Sequence, residues 1–328
     1  MATLCYKLMR KTTVQNYLTP AHRCLHSGVF SKFLRESTSK ISFRKFSNAF
    51  GNGRRRIVRP VLFTCLFGSG TFACCTILQY ERIRHDIINK GVHLEGYGRD
   101  HKEFSFRIAI NKWWNGLNEG QKLVSGIIAL NACVFICWQI PAFRHFMTKW
   151  FTASAFNGKT LPMFLSTFSH AELWHLGCNM LVLWSFASPI QDMLGPEQFL
   201  AFYLTGGVFA ALCSHTLKII TKSPVASLGA SGALLAVLGA VCIEKPDARL
   251  AILFLPFFSF SAKTALMSII AVDVAGLVFR WKLFDHGAHL GGTLFGIWYV
   301  KYGHQLIWEN RTPLLQWWHK LRESSERR

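Results

Sequence analysis

Seven apolar runs, each close to the length needed to cross a bilayer, divide this chain: residues 60–79, 122–143, 173–190, 199–217, 226–243, 262–279 and 287–302. A hydrocarbon core about 30 Å thick takes about 20 mostly apolar residues in a helix. Backbone groups inside it must be satisfied within the segment, which favours helices. Charged residues make up only 16% of the chain, against about 25% in an ordinary globular protein. With 51% hydrophobic residues, 28 Phe and 11 Trp, the composition excludes intrinsic disorder and argues against an ordinary soluble enzyme. The expected fold is an all-α polytopic membrane protein. The runs at 173–190 and 287–302 contain histidines and glycines, which weakens their hydropathy. A further apolar stretch, 250–260, is broken by Pro256 and too short to span; it is placed at the interface.

Charge is sparse but uneven. Lysines and arginines number 37 against 17 acids, a net +20. Thirteen of these bases lie at or before Arg59, with Glu36 as the only acid there. A basic, Ser-rich, acid-poor start without an apolar secretory core has the composition of a mitochondrial transit segment; a solvated basic tail is the plainer alternative. Nucleic acid is not expected as a partner, because the apolar runs make a lipid bilayer the better one. The connections after the second, fourth and sixth runs carry Arg144, Lys149, Lys159, Lys218, Lys222, Arg280 and Lys282. By the positive-inside rule they share the inner side with the N-terminus, and the C-terminus lies opposite. In the mitochondrial inner membrane those sides are the matrix and the intermembrane space. Of the ten cysteines, eight sit in apolar stretches and none forms a CxxC pair, so they read as small hydrophobes.

Ionisable and polar groups inside spans are costly and are functional candidates. His175 and Asn179 lie in the run at 173–190, Ser231 in that at 226–243 and His289 in that at 287–302. These three runs cross in the same direction. At about 1.5 Å per residue, the four side chains fall within about 5 Å of one depth. Ser231 stands in Gly229-Ala230-Ser231-Gly232, a GxSG pattern unlike the GxSxG elbow of soluble hydrolases. Gly229 permits a turn and close ligand approach. Gly232, Ala236 and Gly239 form one small-residue stripe, and Ala288, Gly292 and Gly296 another. Such stripes let membrane helices approach closely and would bring Ser231 to His289.

The ordered set His175-x-x-x-Asn179, Gly229-x-Ser231-Gly232 and Ala288-His289-x-x-Gly292-x-x-x-Gly296 resembles the rhomboid family of intramembrane serine proteases. The stretches Leu165-Ser166-Thr167-Phe168-Ser169-His170 and Asp285-His286-Gly287-Ala288-His289-Leu290-Gly291-Gly292, with the extra first run, look like its mitochondrial branch. Composition gives a basic targeting segment (1–59), a polar connector (80–121) and a tail (303–328). The resemblance covers about 122–302, where it implies a six-helix core, and it implies one extra N-terminal span (60–79). It implies cleavage of single-pass membrane proteins, with Ser231 as nucleophile and His289 as general base. His175, Asn179 and the Ser231 N–H would face the oxyanion. Gly229, Gly232, Gly292 and Gly296 would be structural. No cofactor is required, and helix 262–279 would be the lateral gate.

Spacing places no acid to complete a triad, so a dyad is expected. Asp273, six residues from the inner end of its run, could approach the site or simply link two helices. A metal site is disfavoured: His170 and His175 are five apart, not the i, i+4 of a zinc helix. A transporter is disfavoured by the absence of paired broken helices in two similar halves. The alternative from another class is a silent rhomboid-like scaffold that binds membrane helices without cutting them. The tail 313–328, with Trp317 and Trp318, reads as an interfacial helix or a solvated end.

Overall fold

A computed structural model describes residues 43–92, 105–252, 255–282 and 284–326. Most of the basic N-terminal segment lies outside the described residues. The first helix, α1, runs Phe43–Val92, 50 residues that include the apolar stretch expected at 60–79. It is about 75 Å long at about 1.5 Å per residue, so it extends well past a bilayer core at its ends. The connector 80–121 is therefore helical in part, because α1 takes its first residues and α2 (Ser105–Gly116) its later ones.

The remaining helices are α3 (Glu119–Gln139), α4 (Arg144–Trp150), α5 (Leu161–Leu165), α6 (Leu173–Leu194), α7 (Pro196–Thr221), α8 (Ser231–Glu244), α9 (Ala262–Phe279), α10 (His286–Trp298) and α11 (Thr312–Glu326). α3 begins at a capping box, in which the Asn118 side chain accepts from Gln121 N and Gln121 accepts from Asn118 N. It stops at Gln139 rather than 143 because Ile140, before Pro141, is extended, as a residue preceding proline tends to be.

The core gathers around α7 and α8. Phe199, Phe202 and Tyr203 of α7, with Ala233, Ala236 and Ala240 of α8, are fully buried. α1 lies antiparallel along α7. Ile57 clusters with Ala155 and Ile219 at one end. In the middle, a β-carbon at Gly68 would stand 3.0 Å from the Thr205 methyl. At the other end Arg82 Nη2 donates to Glu197 Oε2 at 3.0 Å. α8 and α10 meet backbone to backbone: a β-carbon at Gly292 would lie 2.0 Å from Gly232 O, and one at Gly296 2.1 Å from Ala236 O.

Among the described residues, four helices are long and apolar enough to cross a membrane: Ile57–Asn89 within α1, Glu119–Gln139, Pro196–Thr221 and Ala262–Phe279. α6 fails on hydropathy; α8 and α10, at 14 and 13 residues, fail on length. These three are the helices that carry the polar residues singled out above.

One expectation is corrected. The run at 226–243 is helical only from Ser231. Ser227 is bridged to Ala153 instead, and Gly229 has φ +124°, outside helical geometry. Ser231 thus opens its helix rather than lying five residues in. Within 250–260, β1 (Arg249–Ile252) pairs antiparallel with β2 (Leu255–Ser261), which satisfies part of the backbone of both strands. Phe257 there is 94% exposed.

Beyond α10 the chain continues as a π-helical segment, Tyr299–Trp308. Gln198 Nε2 donates to Tyr299 Oη at 2.8 Å. α11 then folds back onto α1. Trp318 Nε1 donates to Glu81 Oε1 at 2.7 Å, and Tyr80 Oη lies 2.6 Å from His319 Nδ1. The tail is therefore a docked helix rather than a solvated end.

Candidate active site

Ser231 is the first residue of α8. At that position a backbone N–H has no acceptor within its own helix, and the helix dipole favours developing negative charge. Gly229 shapes the approach. A β-carbon there would stand 2.9 Å from His175 Cε1, 3.3 Å from His175 Nε2 and 3.9 Å from Ser231 Oγ. The glycine thus keeps open a notch between the His175 ring and the Ser231 hydroxyl. Its own N–H donates to Ser166 O at 2.9 Å.

His289 is the fourth residue of α10. Its Nε2 lies 2.9 Å from Ser231 Oγ, within reach for taking the hydroxyl proton. The close approach of α8 and α10 at Gly232 and Gly292 makes this distance possible. Nδ1 of His289 faces α9, where Asp273 Oδ1 is 3.5 Å away. The same oxygen is 2.8 Å from His286 Nδ1. Asp273 and His286 are each 3% exposed, so the carboxylate lies well inside the bundle, hydrogen-bonded to one histidine and beside the other. Both roles considered for Asp273 are met at once.

His175 and Asn179 share a face of α6, one turn apart. Asn179 is buried, and its Nδ2 donates to His170 Nε2 at 2.8 Å. His170 Nε2 also accepts from Ala230 N at 3.5 Å. Burial lowers the His170 pKa to about 4, with His175 adding to the effect, so the ring is neutral near pH 7. It is held from behind: its neighbour Ser169 accepts from Trp138 Nε1 of α3 at 2.7 Å.

The site gathers Ser231, His289, His175, Asn179 and Gly229 at one end of the bundle. Gly232, Gly292 and Gly296 lie at the helix contact beneath it. From the sequence His170 stood in a stretch that carries the resemblance and as a rejected metal ligand, with no role in the site. Its bond to Asn179 spans nine residues and a turn into α6, which spacing could not show. Asp273 was visible as a polar residue inside a span, but its partners were not.

A helical membrane protein with a serine and a histidine in hydrogen-bonding contact below one end of its bundle is the class that this geometry defines. A rhomboid domain is matched over residues 157–306. The chain is 48% identical over 280 residues to the presenilin-associated rhomboid-like protein, mitochondrial, of Homo sapiens, covering 84% of this chain and 74% of that protein. It is 44% identical over 293 residues to presenilin-associated rhomboid-like protein A, mitochondrial, of Danio rerio, covering 82% and 76%. With Rhomboid protein 1, mitochondrial, of Saccharomyces cerevisiae, identity is 34% over 199 residues, 60% of this chain and 57% of that protein. The chain belongs to the rhomboid family.

Proposed function

We propose that this protein is an intramembrane serine protease of the mitochondrial inner membrane that cleaves single-pass membrane proteins. The observation that carries the reading is the 2.9 Å contact between His289 Nε2 and Ser231 Oγ. The mitochondrial names of its relatives and the basic, acid-poor N-terminus support the location.

In the reaction, His289 takes the proton from Ser231 Oγ as the oxygen attacks the scissile carbonyl. The carbonyl oxygen becomes an oxyanion in the notch that Gly229 leaves open. The Ser231 N–H, His175 and Asn179 are the donors assigned to it, each typically worth about 3 kcal/mol. His289 then gives its proton to the leaving amine, and the amine fragment departs. Water adds to the acyl-enzyme with His289 again as base, releasing the acid fragment and restoring Ser231. The imidazolium formed in each half-reaction is stabilised by Asp273 beside Nδ1. A dyad with electrostatic support describes this better than an isolated pair.

A substrate helix must enter from the side. On the rhomboid pattern α9 is assigned the lateral gate; its buried residues are Ala262, Ala265, Leu266, Asp273 and Gly276. The site end of the bundle is the end where Ile57 of α1 packs on Ile219. With the N-terminus in the matrix, the dyad draws water from that side, and α11 lies in the intermembrane space.

The test is covalent labelling of the purified protein with a fluorophosphonate, located by peptide mass. Ser231 is expected to be the labelled residue, and His289→Ala to remove the label. An unlabelled Ser231 in folded protein would favour the silent scaffold.

A further inference from the structure

Asp285 caps α10, four residues before His289, and its carboxylate is engaged on every side. Oδ1 accepts from Ala288 N at 3.1 Å. Oδ2 accepts from Ser214 Oγ at 2.7 Å, Lys218 Nζ at 2.7 Å and Ser227 Oγ at 2.5 Å. Ser214 and Lys218 lie one turn apart on α7. Ser227 lies in the extended segment that leads into Ser231.

That segment is itself pinned. Ser227 exchanges both backbone hydrogen bonds with Ala153 at 2.8 Å, and Gly229 N donates to Ser166 O. Lys218 also donates to Ser227 Oγ, and Ser214 Oγ lies 3.0 Å from it. One carboxylate therefore joins the start of the histidine's helix, the approach to the serine and the end of α7.

The glycine contact between α8 and α10 places the two helices by packing alone, whereas the Asp285 carboxylate ties their ends by directed hydrogen bonds. We propose that Asp285 is a positioning residue of the reaction, fixing the axial register of His289 against Ser231 by binding both of their supporting segments. This rests on the protease reading above.

Burial alone would push the Asp285 pKa up. The Lys218 ammonium, with hydrogen bonds from Lys218, Ser227 and Ser214, outweighs it and holds the value at about 2. The clamp therefore stays charged at any pH near neutral and acts as a fixed support.

The test uses the full chain in proteoliposomes with a single-pass substrate, with kcat referred to Ser231 sites titrated by fluorophosphonate. A displacement of about 1 Å can cost about 100-fold, so Asp285→Ala is expected to lower kcat by about 30- to 100-fold. KM should stay within about two-fold, since Asp285 does not meet the substrate. Asp285→Asn still caps the Ala288 N–H but loses the second acceptor oxygen facing Lys218 and Ser227, so its kcat should lie between those of Asp285→Ala and wild type. A merely structural residue would lower the unfolding temperature while leaving kcat per titrated site unchanged. That result, or a loss carried by KM, would overturn the proposal. Should Asp285→Ala not accumulate folded, Ser227→Ala cuts only the link to the serine's segment. It should lower kcat by about three- to ten-fold, and unchanged kcat would overturn the proposal equally. If wild type neither cleaves nor labels, the protease reading fails and takes this one with it. An active wild type with unaffected variants overturns this one alone.

Discussion

At Gly229 the backbone φ of +124° is one that side-chain-bearing residues rarely adopt, and the missing β-carbon leaves the space beside Ser231 Oγ. Gly229→Ala would carry both a strained backbone and a contact with the His175 ring. Cleavage is expected to fall by about 100-fold or more, with binding of a substrate helix retained, as kcat and KM measured separately would show. Asp273→Asn keeps a hydrogen-bonding group beside His286 but removes the charge beside His289. It is expected to slow cleavage by about ten-fold, less than His289→Ala, because the base and nucleophile remain. A loss equal to that of His289→Ala would make Asp273 a full member of a triad. Ser231, His289, His175 and Asn179 were legible in the sequence because polar residues stand out against apolar runs and their spacing fixes a depth. His170 and Asp285 were not legible as supports. Each acts through side-chain contacts to segments far away in the chain, and such contacts leave no periodic trace.

Among the elements, the contact between α8 and α10 is the least tolerant of added volume. A β-carbon at Gly292 would sit 2.0 Å from Gly232 O, whereas one at Gly126 on α3 would meet nothing within 4 Å. Gly292→Ala must push two backbones apart and is expected to cost about 3 kcal/mol or more. Gly126→Ala should be neutral or stabilising by up to about 1 kcal/mol, since alanine favours the helix. Unfolding of the two purified variants under one denaturant series checks the difference; equal stability would contradict this packing. Both small-residue stripes were visible in the sequence as spacings of three and four. The pairing of β1 with β2 was not, because a short apolar stretch with a proline has no period that separates strand from interfacial segment. The start of α8 was misplaced for a related reason: residues 226–230 are mostly small or apolar, and contacts with Ala153, Ser166 and Asp285 hold them outside the helix.

On the scale of the whole molecule, α1 lies alongside α7 with its Ile57 end toward the site, while α11 docks at the other. With the N-terminus in the matrix, a thiol at Lys222→Cys should be shielded in intact mitoplasts, and one at Lys320→Cys should react with an impermeant reagent. The reverse pattern would overturn the orientation while leaving the dyad in place. Of the seven spans expected from the sequence, four coincide with helices among the described residues that meet a length and hydropathy test. The helices that fail are short or polar where they build the site, and the chain-order argument counted them by context. The central claim is that Ser231 and His289 cut a substrate helix. It is tested most directly by reconstituting the purified chain with a single-pass membrane protein and mapping the products by mass. The account predicts one cut within or beside the substrate's membrane segment, with Ser231→Ala and His289→Ala, both folded, each losing cleavage by about 1,000-fold or more. Cleavage at the wild-type rate by either folded variant would contradict it.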